Sequence, residues 1–250
     1  MSHIDREQGS IGTLGPRRTE KISEVLAREI VRDLRDLPPA TMLPSESVML
    51  KKYGVGRASL REALRLLEVQ GLVVIRPGPG GGPMVAQVDS THYGRISTLY
   101  YHMLGATYRD VVDARMVLEP VIARIVAERQ DPEHIAKLNE WLDEVGSPGP
   151  HDYLGEASAF HAMLVSMSGN PVLELTVHAL QLIYAERAHG WVFPPEEHHH
   201  VEQAHRAIAL AILKGNASRA EVLMRKHMLE YVENSRVNAP IGINETVDWH

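Results

Sequence analysis

The sequence predicts a mainly α protein: an N-terminal winged helix-turn-helix followed by an all-α bundle of six or seven antiparallel helices. Three observations carry that reading. Two short helical patterns meet at a glycine between Leu43 and Leu72, a β-rich pair of segments flanks a glycine and proline run directly after them, and strand signals vanish beyond Tyr93.

Taken in order, Ile22, Val25, Leu26, Ile30 and Leu34 keep a helical period until Pro38-Pro39 ends it, which predicts a supporting helix. The next helix is expected from about Ser45, whose hydroxyl can accept from free backbone N–H groups, to Tyr53, with Gly54 as its left-handed stop. A second helix starts near Arg57 and sets Leu60, Leu64 and Leu67 on one apolar stripe. That leaves Arg57, Ser59 and Arg61 facing outward at its N-terminal end, where a recognition helix meets the major groove and arginine can pair with guanine or neutralise phosphate. On charge alone these are an ordinary solvated face; the arrangement of two helices plus a hairpin favours DNA reading. Leu72 to Ile75 and Met84 to Ala86 are expected as strands, with Arg76 to Pro83 as the turn. Phosphate binding by this glycine run would need a following helix with lysine and serine or threonine. None follows.

Charge agrees. Arg17 to Gln87 carries twelve Lys or Arg against eight Asp or Glu, whereas Val88 to His250 carries thirteen against twenty-two. A basic third on an acidic chain is the part that meets a polyanion. Because one such module makes few phosphate contacts, specific binding calls for two copies on a two-fold symmetric operator.

The 250 residues, 44% of them hydrophobic, have room for a DNA-reading module and a larger companion domain. The expected division is a loose polar N-terminus over 1–16, the winged module over 17–88, a helical domain over 93–236 and a loose C-terminal tail over 237–250. There is no run of eighteen apolar residues, no charged-then-apolar leader and no cysteine, so the expected location is cytoplasmic. Glycine, proline and asparagine punctuation divides the second domain into helices near 93–105, 108–129, 133–145, 151–168, 171–189, 197–214 and 217–236.

Of fourteen histidines, His205 and His227 lie eleven residues on either side of Asn216, at one height in a helical hairpin turning there. His205 shares a face with Ile208 and Ile212, His227 with Leu223 and Tyr231, and His161 with Leu154, Leu164 and Val165, so all three should point inward. Three inward imidazoles can hold a divalent transition metal, zinc or nickel, through neutral ring nitrogens. The alternative is three hydrogen-bonded core histidines. His198-His199-His200, at a helix start, reads most simply as solvated, with extra metal binding as the alternative.

Leu43-Pro44-Ser45-Glu46, Val55-Gly56-Arg57, Leu60-Arg61-Glu62-Ala63-Leu64 and Leu67-Glu68-Val69-Gln70-Gly71-Leu72 resemble the signature of GntR-type bacterial transcription regulators. Asp113-Ala114-Arg115 with Leu118-Glu119, Phe160-His161 with Gly169-Asn170-Pro171, Ala204-His205 and His227-Met228 look like the FCD-type effector domain of the FadR subgroup. The resemblance implies a homodimer reading a pseudo-palindromic operator, more often as repressor than as activator, and a bundle binding a small carboxylate that alters DNA affinity. It also implies a metal held by one Asp and three His, matching His161, His205 and His227. The aspartate position, four residues before the first histidine, is Ala157, and Glu156 lies about 100° round the helix. Two outcomes follow: a weaker three-histidine site, or histidines that contact the ligand directly. Arg115 matches an arginine near the effector pocket; its alternative is an ion pair with Glu119. Glu119, Tyr184 and Arg187 complete the candidate effector contacts. For DNA, Arg57 and Arg61 match family positions, Ser47 stands where a third arginine is common, and Ser45 and the wing-tip Gly80 complete the set.

The competing function class is a metal-dependent hydrolase using the three-histidine site. It lacks an obvious general base on a matched face and leaves the winged module without a use. An architectural DNA binder without effector is disfavoured by Arg115 and the histidine trio.

Overall fold

A computed structural model describes residues 20–145, 153–188, 195–238 and 242–249, and the chain divides into two compact units, Met1–Val88 and Asp89–His250. The expectations for 1–16 and for the Leu154, Glu156 and His198 side chains fall outside the described residues.

In the first unit, α1 (Ile22–Leu34), α2 (Glu46–Tyr53) and α3 (Arg57–Val69) precede β1 (Val73–Arg76) and β2 (Gly82–Val85). Ile30, Met49, Leu60, Leu67 and Val73, each at most 2% exposed, form the centre of its core. Gly54 closes α2 at φ +64, which removes the Cβ penalty that any other residue would carry there. Ser45 does hold the N-terminal cap position of α2, but its side chain makes no capping bond; its Oγ lies 3.1 Å from Ser47 Oγ.

The wing is antiparallel, with Val73 opposite Val85 and Arg76 opposite Gly82. The expected turn over Arg76 to Pro83 is therefore shorter, because Gly82 and Pro83 pair in β2. A third segment adds to the wing. Leu43 N–H donates to Pro83 O (2.8 Å), Val85 N–H to Thr41 O (2.9 Å), and Met42 bridges Met84. The outer side of β2 thus has partners for its backbone groups, and Pro83 is tolerated because only its carbonyl is called on.

Among the described residues the second unit contains seven α-helices, α4 (Ser90–Leu104), α5 (Tyr108–Arg129), α6 (Pro132–Glu144), α7 (Tyr153–Ser166), α8 (Pro171–Ala188), α9 (Pro195–Leu213) and α10 (Ala217–Asn238), and a short 3-10 turn at Gly242–Asn244. Local chemistry sets their ends. Thr107 and Asp110 form a reciprocal capping box on α5, and Asp131 caps α6 ahead of Pro132. Gln130 ends α5 in the left-handed region (φ 45), and its amide donates to Ala127 O (3.0 Å) and Ile212 O (2.7 Å), tying α5 to the end of α9. The core around α5 is filled by Ile122, Phe160, Leu164, Ile208, Ile212 and Met224, all within 1% of full burial.

The C-terminal tail expected to be loose is instead docked where it is described. Ile243 and Val247 are fully buried. Val247 N–H donates to Ala106 O (2.8 Å), Tyr108 N–H donates to Glu245 O (3.1 Å), and His102 Nδ1 meets Val247 O (2.9 Å). Two apolar side chains, three and seven residues beyond Pro240, are enough to anchor a segment whose glycine and proline suggested looseness.

Candidate metal centre and nucleic-acid interface

Three helices bring His161 (α7), His205 (α9) and His227 (α10) together, with 6%, 3% and 4% exposure. Their Nε2 atoms form a near-equilateral triangle, 3.1 Å for 161 to 227, 3.2 Å for 161 to 205 and 3.1 Å for 205 to 227. For metal–nitrogen bonds of about 2.1 Å, neighbouring ligand nitrogens lie roughly 3.0 Å apart at a right angle and roughly 3.4 Å apart at the tetrahedral angle. The triangle fits between the two. Among the described residues it is the one cluster of histidine and acidic side chains with this spacing.

Packing fixes the rings. Phe160 stacks on His205 (4.2 Å between centroids, 22°), and the His161 and His227 rings stack at 5.1 Å. Burial, then the neighbouring His227 and His161 rings, push the His205 imidazole well below its ordinary pKa. Burial and His161 likewise hold His227 down at about 3. Both rings are therefore neutral at physiological pH, the state a metal ligand requires.

Behind His161 lies Glu119 of α5, 2% exposed, whose Oε2 accepts from His161 Nδ1. Its other oxygen accepts from Arg115 Nε (2.7 Å) and from Gln181 Nε2 of α8 (3.4 Å). Burial alone would raise the Glu119 carboxyl, but the Arg115 charge and then His161 hold it well below the usual carboxylate range. Arg115 is thus in the ion pair with Glu119 that the sequence offered as its alternative, and its guanidinium lies 5.8 Å from the Tyr184 ring. Tyr184 is buried and packs edge-on against Tyr231 at 5.6 Å.

Arg187 does not join this group. It pairs with Glu245 of the docked C-terminal segment and lies 5.7 Å over the Tyr108 ring. Ala157 is half-buried and brings no ligand atom. Gln181 escaped the sequence reading; its one signal is a position three residues before Tyr184, on the same face of α8. His199 and His200 are exposed, as the solvated reading has it, with His199 Nε2 2.8 Å from Gln203 Nε2.

In the first unit, the side chains of Arg57 and Arg61 are 79% and 72% exposed on successive turns of α3. Both lean towards Glu46, Arg57 Nε at 3.6 Å and Arg61 Nη2 at 3.3 Å. Exposed pairs of this kind are worth about 0–1 kcal/mol, so both arginines remain available to another anion. Ser59 is half-buried, Ser45 and Ser47 are exposed, and Gly80 lies at the wing tip with φ +75. Glu46 was quoted in the sequence motif, yet its contact with both arginines was not foreseen.

Comparison with known proteins places these geometries in context. Residues 20–81 match the family of bacterial regulatory proteins described as gntR, and residues 110–230 match the FCD domain. The HTH-type transcriptional regulator LutR of Bacillus subtilis is 26% identical over 200 residues, covering 77% of this chain and 90% of LutR. The HTH-type transcriptional repressor NanR of Salmonella typhimurium is 28% identical over 224 residues, covering 85% of this chain and 84% of NanR. A solved GntR structure from Streptococcus agalactiae superposes with a TM-score of 0.62 at 24% identity, covering 84% of this chain and 99% of that one, a likeness of fold. These relatives are transcription regulators rather than enzymes, and nothing among them supports the hydrolase alternative.

Proposed function

Because this chain belongs to the GntR family of bacterial transcription regulators, a DNA-binding module followed by an FCD domain, we propose that it is a homodimeric repressor. In this reading it dissociates from a pseudo-palindromic operator when a small carboxylate enters its second domain. The repressor sense follows NanR, which is itself a transcriptional repressor. The observation that carries the effector reading is the convergence of three buried histidine nitrogens beside the Arg115–Glu119 pair in the FCD domain.

His161, His205 and His227 would hold a divalent metal, zinc or nickel. Such an ion supplies a buried positive charge to which a carboxylate oxygen can bind. Arg115, Glu119 and Tyr184 would line the same pocket, with Arg115 already balanced by Glu119. Arg187 would act from the end of α8 by holding the C-terminal segment. On the DNA side, Arg57 and Arg61 would read or neutralise the major-groove edge, assisted by Ser59, with Ser45, Ser47 and Gly80 near the phosphates.

Dimer formation is supported by α4, where Ile96, Leu99, Tyr100, Met103 and Leu104 are between 36% and 80% exposed. A contiguous apolar stripe on a single chain is a surface that a second copy can cover. No described helix is long and apolar enough to cross a membrane, and a regulator of chromosomal DNA would work in the cytoplasm.

The test is titration of an operator selected from random DNA, with and without small carboxylates and added zinc or nickel. Allosteric coupling of about 1–3 kcal/mol predicts a change of roughly 5–150-fold in operator affinity. Identical affinities under every condition would remove the allosteric reading.

A further inference from the structure

We propose that Glu119 is the positioning residue of the histidine centre, orienting His161 towards the shared metal position and raising its basicity as a ligand where Ala157 supplies no carboxylate. The inference rests on the reading that the trio holds a divalent cation.

Glu119 sits on α5 and gathers groups from three helices without presenting an oxygen to the triangle itself. Its Oε2 accepts a hydrogen bond from His161 Nδ1–H, which fixes the tautomer and leaves the Nε2 lone pair pointing at the Nε2 atoms of His205 and His227. Its Oε1 is held by Arg115 and Gln181, so the carboxylate is anchored on the side away from the histidine. With 2% exposure, none of this is loosened by water.

The charge matters as much as the orientation. Three neutral imidazoles leave a divalent cation uncompensated in a buried site, and Ala157 contributes no carboxylate. A carboxylate one hydrogen bond behind a ligating imidazole raises the basicity of that ligand, and losing such a partner weakens metal affinity by about 10–100-fold. Arg115 acts one step further out. It holds the carboxylate of Glu119 in place through Nε (2.7 Å), which makes it a partner inside the centre rather than an unoccupied receptor for the effector.

The test uses full-length protein stripped with a chelator and titrated with cobalt(II), read by its visible absorption, and with zinc in competition against a chelating dye. Glu119→Gln keeps the shape and removes the charge. Its dissociation constants are expected to rise about 10–100-fold, with an altered cobalt spectrum. Glu119→Gln combined with Arg115→Met removes both charges together, so no unpaired guanidinium is left in the core to obstruct folding; the same weakening is expected. Nitrogen-15 shifts of His161 in the metal-free wild type should report a protonated Nδ1, and this signature should weaken in Glu119→Gln. If metal binding is lost in His205→Ala but either folded Glu119 variant keeps wild-type affinity and spectrum, the inference alone is overturned. If wild type binds neither cobalt nor zinc, the metal reading falls and takes the inference with it.

Discussion

His205 Nε2 and His227 Nε2 lie 3.1 Å apart across the turn at Asn216, from which each is separated by eleven residues. Equal spacing from a turn puts two positions of a helical hairpin at one height, and the apolar neighbours Ile208, Ile212 and Met228 turn both rings inward. His161 joins them from a different hairpin, so the triangle closes only when α7 packs against α9.

Zinc that binds the folded trio but not the unfolded chain should raise the thermal midpoint, by about 2.7 kcal/mol of stabilisation at a hundredfold excess over the dissociation constant. His205→Ala should abolish this increment and also lose the stacking on Phe160. Calorimetry with zinc and with chelator makes the comparison. An equal zinc response in the variant would argue that the ion binds elsewhere.

Acid should destabilise the metal-free protein before any carboxylate titrates. His205 and His227 are depressed in the fold, so below pH 6.5 the unfolded chain takes up protons that the folded chain refuses, and stability falls as pH falls. The slope approaches about 1.4 kcal/mol per pH unit for each group and for His227 persists down to about pH 3. Urea midpoints at a series of pH values read it out, and a flat profile from pH 7 to 4.5 would contradict it.

Arg57→Ala and Arg61→Ala should each fold normally, since both side chains are exposed and only loosely paired with Glu46. Each should cost about 1–3 kcal/mol in discrimination between operator and random DNA, the scale of one bidentate base contact. Retained operator selectivity in both variants would mean that α3 is not the reading helix.

Deleting the chain beyond Pro240 should destabilise the FCD domain, because Ile243 and Val247 are fully buried and each contributes about 1.5–3 kcal/mol. Arg187 also loses its Glu245 partner. A lowered melting transition is expected; an unchanged one would show that the docked segment carries no stability in solution.

Much of the architecture was legible beforehand because its signals are short-range. The period of Leu60, Leu64 and Leu67, the left-handed stop at Gly54 and the punctuation at Asp131-Pro132 and Gly215-Asn216 act over one or two turns, and the elements formed where those signals lie. The inward histidines were legible for the same reason, as positions on apolar faces.

What the sequence determined by itself is the series of helices, the two-stranded wing and the three apolar-face histidines, since helical period, capping and turn chemistry are properties of neighbouring residues. Tertiary packing alone decided that His161 joins the Arg115–Glu119 pair, that Arg187 holds Glu245, and that Thr41 to Leu43 pair with β2. Those partners are separated by 42, 58 or about as many residues along the chain. At that separation, local propensity carries no information about which group meets which, and the pairing is settled by which polar groups come within reach of one another once the chain packs.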